Sequence, residues 1–312
     1  MKELAQLESF LAYRDETGLS NREKIDRYRK VIRRTAATDR NRSYEETSAA
    51  DDLSRYGIVM EDDRLTGFGI HIFNEDIYPL QSFEIYLRGC DLSGLLDLSG
   101  CTDLLYVDLY HNRIEDIFLQ DLPELRILGV QDNRLRRLDT ADMPLVLGID
   151  AGKNELTELD VSANGELREL YVNDNRLTEI DLSACPELKY FYCNNNEIES
   201  LDTTANPKLR HLNTLHNPMK TIRALAPQNE NSLPLELTAG EGGYVGLRFN
   251  PVYNAQWKET GEWEQLYQAV PQPGYVFAGW YEYGRRVAED MQWKDDYGTS
   301  RLLQAVFRPE GE

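Results

Sequence analysis

From Leu104 to Ile222 the apolar and polar positions recur with a period that is neither 3.6 nor 2. Asn112, Asn133, Asn154, Asn175, Asn196 and Asn217 stand 21 residues apart without a slip. Two residues after each comes an apolar side chain, Ile114, Leu135, Leu156, Leu177, Ile198 and Met219. Three further on come Ile117, Leu138, Leu159, Ile180, Leu201 and Ile222. Upstream of each Asn an alternating pair precedes it: Val107/Leu109, Leu128/Val130, Ile149/Ala151, Leu170/Val172, Phe191/Cys193 and Leu212/Thr214. Alternation predicts a short strand centred near residues 107, 128, 149, 170, 191 and 212, with these pairs turned inward. Copies stacked in register set the strands side by side as a parallel sheet. Each Asn then turns in at the strand's end, where its amide can bond backbone groups that the turn leaves unpaired.

The rest of each copy returns the chain along the opposite side. It reads D-L-S-A-C-P-E-L at Asp181 to Leu188, and Pro123, Pro144, Pro186 and Pro207 share one column. Proline there predicts an extended or 3₁₀ return with no α-helix. Leu87, Cys90, Leu92, Leu95 and Leu98 resemble one more, irregular copy upstream. The full pattern, L-x-x-L-x-V-x-x-N-x-L, is the leucine-rich-repeat signature. Its 21-residue period and return resemble bacterial internalin-type repeats. The resemblance implies a curved solenoid with a parallel sheet on its concave face.

The ends of the repeat run need covering. Leu4, Leu7, Phe10 and Leu11 keep helical spacing, and Ser20 is a candidate N-cap for a helix over residues 21–34. Tyr56 to Phe73 reads as a hairpin leading into the repeats. After Ile222 the stretch from Ala226 to Pro234 reads as a linker, and Leu235 to Pro309 as a small β-rich domain expected to fold alone. Within it, P-G-Y-V-F-A-G-W-Y at Pro273 to Tyr281 and L-Q-A-V-F at Leu303 to Phe307 resemble the Listeria–Bacteroides repeat, a β-grasp-like module of bacterial surface proteins. The expected fold class is therefore an α+β repeat protein. Its parts are a helical N-terminal cap and hairpin over 1–80, a solenoid over 81–225 and the β-grasp-like module over 235–312.

Lys and Arg number 34 against 54 Asp and Glu, a formal net charge of −20. That balance repels phosphate backbones and anionic membranes, so no nucleic-acid partner is expected. No apolar run approaches the 18 or so residues that would insert in a bilayer. The first residues lack a basic segment followed by an apolar one, so no leader is visible. Cys90, Cys101, Cys185 and Cys193 form no C-x-x-C pair, and a metal site is not expected. Cys185 and Cys193 read as small buried hydrophobes, with a Cys90–Cys101 bridge as the minor alternative.

Strand residues that alternate outward form three columns: Tyr106, Ile127, Gly148, Glu169, Tyr190, His211; Asp108, Gly129, Asp150, Tyr171, Tyr192, Asn213; and Tyr110, Gln131, Gly152, Asn173, Asn194, Leu215. Tyrosine supplies rigid apolar area with a polar tip and is enriched at interfaces. Tyr106, Asp108, Tyr110, Asp150, Glu169, Tyr171, Tyr190, Tyr192, Asn194, His211 and Asn213 are the candidate partner-binding residues. The centre is expected at Tyr171, Tyr190 and Tyr192, bordered by Asp150 and Glu169, an acidic rim suited to Lys or Arg. The rival reading of the tyrosines is a ladder that only stabilises the sheet. His111, His211 and His216 are too dispersed for one metal, since five repeats span roughly 24 Å. No G-x-S-x-G, H-E-x-x-H or phosphate loop is present. The expectation is a monomeric, non-enzymatic, cofactor-free module that binds a protein or a glycan, at a bacterial surface or secreted. The alternative is an intracellular scaffold or inhibitor.

Overall fold

The computed structural model describes residues 9–24, 58–61, 64–69, 91–102, 104–225, 234–253, 259–294 and 302–311. The chain divides into two compact units, Met1–Glu155 and Leu156–Glu312. In the first, the strands are β1 (Ile58–Glu61), β2 (Arg64–Gly69), β3 (Ser93–Asp97), β4 (Tyr106–Asp108), β5 (Arg113–Phe118), β6 (Ile127–Gly129) and β7 (Gly148–Asp150). In the second they are β8 (Glu169–Tyr171), β9 (Tyr190–Tyr192), β10 (Ser200–Asp202), β11 (His211–Asn213), β12 (Thr221–Leu225), β13 (Pro234–Ala239), β14 (Gly243–Tyr253), β15 (Glu259–Pro271), β16 (Tyr275–Glu282), β17 (Arg285–Ala288), β18 (Gln292–Lys294) and β19 (Leu302–Pro309).

The six predicted strand centres are the middle residues of β4, β6, β7, β8, β9 and β11. In the first unit β4, β6 and β7 run parallel in register, 21 residues per step. In the second, β8, β9 and β11 do the same. All six inward pairs are buried, from Val107 and Leu109 to Leu212 and Thr214. Every copy of the Asn column is buried too. Asn133 shows what the amide does: its Oδ1 accepts from the N–H of Ile114 at 3.0 Å, while its Nδ2 donates to the carbonyls of Leu109 and Val130 at 2.9 and 3.0 Å. Two of those partners lie one coil back, so each Asn ties neighbouring coils together as well as closing its own turn. Asn196 and Asn217 repeat the pattern in the second unit.

The residue before each Asn takes a left-handed conformation. His111, Asp132, Lys153, Asp174, Asn195 and His216 all have φ between 51° and 59°. Asn, Asp and His tolerate that region best among residues with a Cβ. Two of the three histidines weighed as metal ligands, His111 and His216, are therefore turn formers. The returns are extended, as the prolines require, and partly paired: β3 with β5, and β10 with β12. The Asp that opens these returns has a local task. Asp160, Asp181 and Asp202 accept the N–H two residues on, from Ser162, Ser183 and Thr204, at 2.8 to 2.9 Å. Accepting these bonds holds all three carboxyls below the usual range, for Asp202 against its partial burial.

The ends depart from expectation. Of the helical cap, the described residues 9–24 hold only single helical turns at 9–12 and 21–24, so the helical character expected there is not shown; residues 1–8 and 25–56 lie outside the described residues. Ser20 does cap the second turn: the N–H of Glu23 donates to Ser20 Oγ, and Glu23 receives the N–H and hydroxyl of Ser20 in return. Buried Asn21 then extends the amide column, accepting from and donating to the backbone of Ser93 at 3.0 Å. The hairpin is present, β1 antiparallel to β2, and β2 joins β4 in parallel. Ile70, Ile72, Leu87, Cys90 and most of the linker lie outside the described residues.

At the other end, β13 pairs with β12 and β14 with β11, so both sheets of the second unit run on past the last repeat. β13 lies parallel to β19, which pairs with β16, and β16 with β17. Trp280 is fully buried there and donates from its indole N–H to the carbonyl of Asp290 at 3.0 Å. Thr214 explains the junction. Its N–H and hydroxyl donate to the Leu247 carbonyl, and its Oγ accepts the Leu247 N–H at 2.8 Å.

Candidate functional site

The outward strand positions form the candidate site, and each unit carries its own part. In the first unit Tyr106 and Tyr110 are half-buried. The hydroxyl of Tyr110 is hydrogen-bonded to the Asp150 carboxylate. Asp150 and Asp108 are themselves buried, each accepting the N–H two residues on, from Gly152 and Tyr110 at 3.2 Å.

In the second unit Tyr171, Tyr190 and Tyr192 are likewise half-buried. Successive strands put them one above another. Tyr171 and Tyr192 stack with centroids 5.3 Å apart and planes 11° from parallel. Tyr190 stacks on His211 at 4.2 Å and 16°. Glu169 is 1% exposed and accepts from the Tyr171 hydroxyl at 3.2 Å. Burial pushes the Tyr171 phenol well above its ordinary range, and the Glu169 carboxylate adds to it, so Tyr171 stays a neutral donor. Asn213 and Asn194 are half-buried beside the rings.

Two expectations are corrected here. The five outward tyrosines are half-buried where the outward alternation suggested open rings, and for Tyr171, Tyr190 and Tyr192 a stacked neighbour covers one face. The acidic border is not a rim: Asp150 and Glu169 are buried and bonded to the hydroxyls of Tyr110 and Tyr171, and the candidate Asp108 is buried too, accepting the Tyr110 N–H. Alternation tells which side of a strand a residue occupies, not how much its neighbours on that side conceal it.

His211 is buried as well, 7% exposed. Loss of solvation, with the Arg210 charge adding, brings its pKa down to about 4. The unfolded chain titrates near 6.5, so between those values it takes up a proton that the folded imidazole refuses. Stability from this residue is complete above pH 6.5 and falls as pH drops towards 4, by up to about 3 kcal/mol. Urea midpoints at pH 7, 5 and 4 should therefore fall more steeply for the native chain than for His211→Gln; parallel slopes would contradict it.

The face continues where sequence reading did not place it. Asn213 is paired with Arg248 on β14, and Arg248 with Leu266 on β15, which pairs with Lys294 on β18. The Tyr171–Tyr192 row thus runs on through Asn213 to Arg248. Among the described residues no three His, Cys, Asp or Glu gather as a metal site would need. Cys185 and Cys193 are buried, and burial raises both thiols, Cys185 to about 11.

These features define a leucine-rich-repeat solenoid of stacked parallel strands. Residues 165–206 match the family model described as Leucine Rich repeats (2 copies). Among solved structures, a leucine-rich-repeat protein of Leptospira interrogans is 19% identical, with a TM-score of 0.37; the match covers 39% of this chain and 34% of that one. The functional domain of InlJ from Listeria monocytogenes is 13% identical, at TM-score 0.28, over 72% and 50% of the two chains. The ectodomain of the Arabidopsis thaliana receptor kinase GASSHO1/SCHENGEN3, solved with CASPARIAN STRIP INTEGRITY FACTOR 2, is 22% identical at TM-score 0.39, over 43% and 18%. No curated protein matches the chain. No helix among the described residues is long and apolar enough to cross a membrane.

Proposed function

We propose that the outer face of the parallel sheet binds a protein partner, as the interaction module of a bacterial surface or secreted protein. One observation carries this reading: the second unit holds two stacked ring pairs, Tyr171–Tyr192 and Tyr190–His211, in which three half-buried tyrosines are held by their neighbours. Rings held by their neighbours lose little entropy on binding, so their apolar area is available at low cost. The stacking also stabilises the sheet, and the ladder and the binding surface are the same structure. Reading residues 235–312 as a Listeria–Bacteroides-type module rests on the Pro273 to Tyr281 sequence, and the parallel β13–β19 pair between its first and last strands supports it.

Tyr190→Ala and Tyr192→Ala separate the contributions. The whole chain and both variants are tested against partners captured from host and bacterial surface extracts. Truncating a hot-spot tyrosine should weaken capture by roughly 2 kcal/mol, about 30-fold. Unchanged affinity in both variants, with a lowered melting temperature, would leave the ladder alone.

A further inference from the structure

The second unit's Tyr171–Tyr192 row ends at Arg248, a cation that shares its carboxylate partner, Glu264, with Lys294. Arg248 stands opposite Asn213 across the β11–β14 pair, at the end of the Tyr171–Tyr192 row. Its Nη2 is 3.8 Å from Glu264 Oε1, beyond hydrogen-bond reach, and Lys294 Nζ is bonded to that same oxygen. Its Nε is buried and has no hydrogen-bond partner among the described residues. The side chain as a whole remains 35% exposed. Buried donors are nearly always paired, and a guanidinium offers five N–H groups in a planar fork.

The other charges expected on this face do not compete. Glu169 is buried against Tyr171, and His211, with its pKa near 4, is neutral at physiological pH. Along the row itself, Tyr171, Tyr192 and Asn213 bring no charge of their own, and the row leads to Arg248, whose Nε has no hydrogen-bond partner among the described residues. We infer that Arg248 is a recognition point for a carboxylate on the partner, from Asp, Glu or a chain terminus, set next to an apolar or aromatic residue that lies on Tyr192. The fork of the guanidinium matches a carboxylate in a two-point bond. This reverses the basic partner that the acidic residues in the sequence suggest. The net charge of −20 opposes an acidic partner at a distance, but screening beyond about 8 Å at physiological salt leaves the contact pair decisive. The inference rests on the proposed binding face.

The test is panning of a random phage-displayed peptide library on the whole chain at physiological salt, followed by sequencing. The expected peptides are enriched several-fold in Asp or Glu beside Tyr, Phe, Trp or Leu. On Arg248→Gln the acidic preference should vanish while the aromatic one persists, and Arg248→Lys should retain part of it. Melting curves confirm that both variants fold. Peptides that need Tyr192, shown by loss on Tyr192→Ala, but carry no acidic preference overturn the inference and spare the binding face. An acidic preference unchanged on Arg248→Gln overturns it equally. Acidic peptides that need Arg248 and not Tyr192 support the carboxylate point and refute the tyrosine platform. Recovery of no peptide that needs either residue overturns both.

Discussion

Asn133→Ala is expected to destabilise the first unit by roughly 3 kcal/mol or more. The amide accepts from Ile114 N–H and donates to Leu109, Val130 and Gln131 carbonyls at 2.9 to 3.2 Å. Alanine leaves the Ile114 N–H and at least one carbonyl buried with no replacement, at about 1–3 kcal/mol each. Water cannot easily follow, because Leu109 and Val130 are at most 1% exposed. Asn133→Asp should be worse. It keeps the acceptor for Ile114 but faces the same carbonyls with an oxygen, so attraction becomes repulsion. Gln131→Ala, two residues away on the outer face, is the control and should change stability by less than about 1 kcal/mol. Urea midpoints decide: Asn133→Ala unfolding with Gln131→Ala would mean that the amide column is incidental.

The contrast between those two positions also marks what the sequence could tell. The 21-residue period is a local signal repeated six times, and it located all six strands because every copy must make the same inward turn. The left-handed column was legible in principle: Asp, His and Asn recur just before the conserved-spacing Asn, with Lys153 the odd member. The site was legible in part. Tyr171, Tyr190 and Tyr192 do lie together, but the burial of Glu169 and His211 depends on ring stacking between coils, which no single-strand pattern encodes. Arg248 was out of reach because antiparallel pairing across the linker has no period. Its single hint was Thr214, a hydroxyl in a column otherwise filled by Leu, Val, Ala and Cys. That hydroxyl is there because the strand beyond it is not another repeat and runs the opposite way.

Truncation after Leu225 is expected to have the largest effect, melting the last two repeats of the second unit. β11 would lose β14, and with it the three bonds that join Thr214 to Leu247. β12 would lose all five of its register partners on β13. Met219, whose carbonyl accepts the Val245 N–H at 2.9 Å, and Ile222 are both 0% exposed in the whole chain. Uncovering them together with Leu212 and Ala224 forfeits about 1.5–3 kcal/mol for each large side chain. The sum, on the order of 5 kcal/mol, matches the entire stability of many domains. Repeats touch only their neighbours, so the loss should decay along the stack. Amide exchange on the truncated chain should show protection lost at Leu212 and Phe191, and retained at Leu128 and Ile149. Full protection at Leu212 after truncation would show that the C-terminal strands are a separate module resting on a solenoid already closed by itself. Loss at Leu212 together with a dispersed amide spectrum from the isolated 234–312 fragment would show that those strands are both an independent fold and the cap.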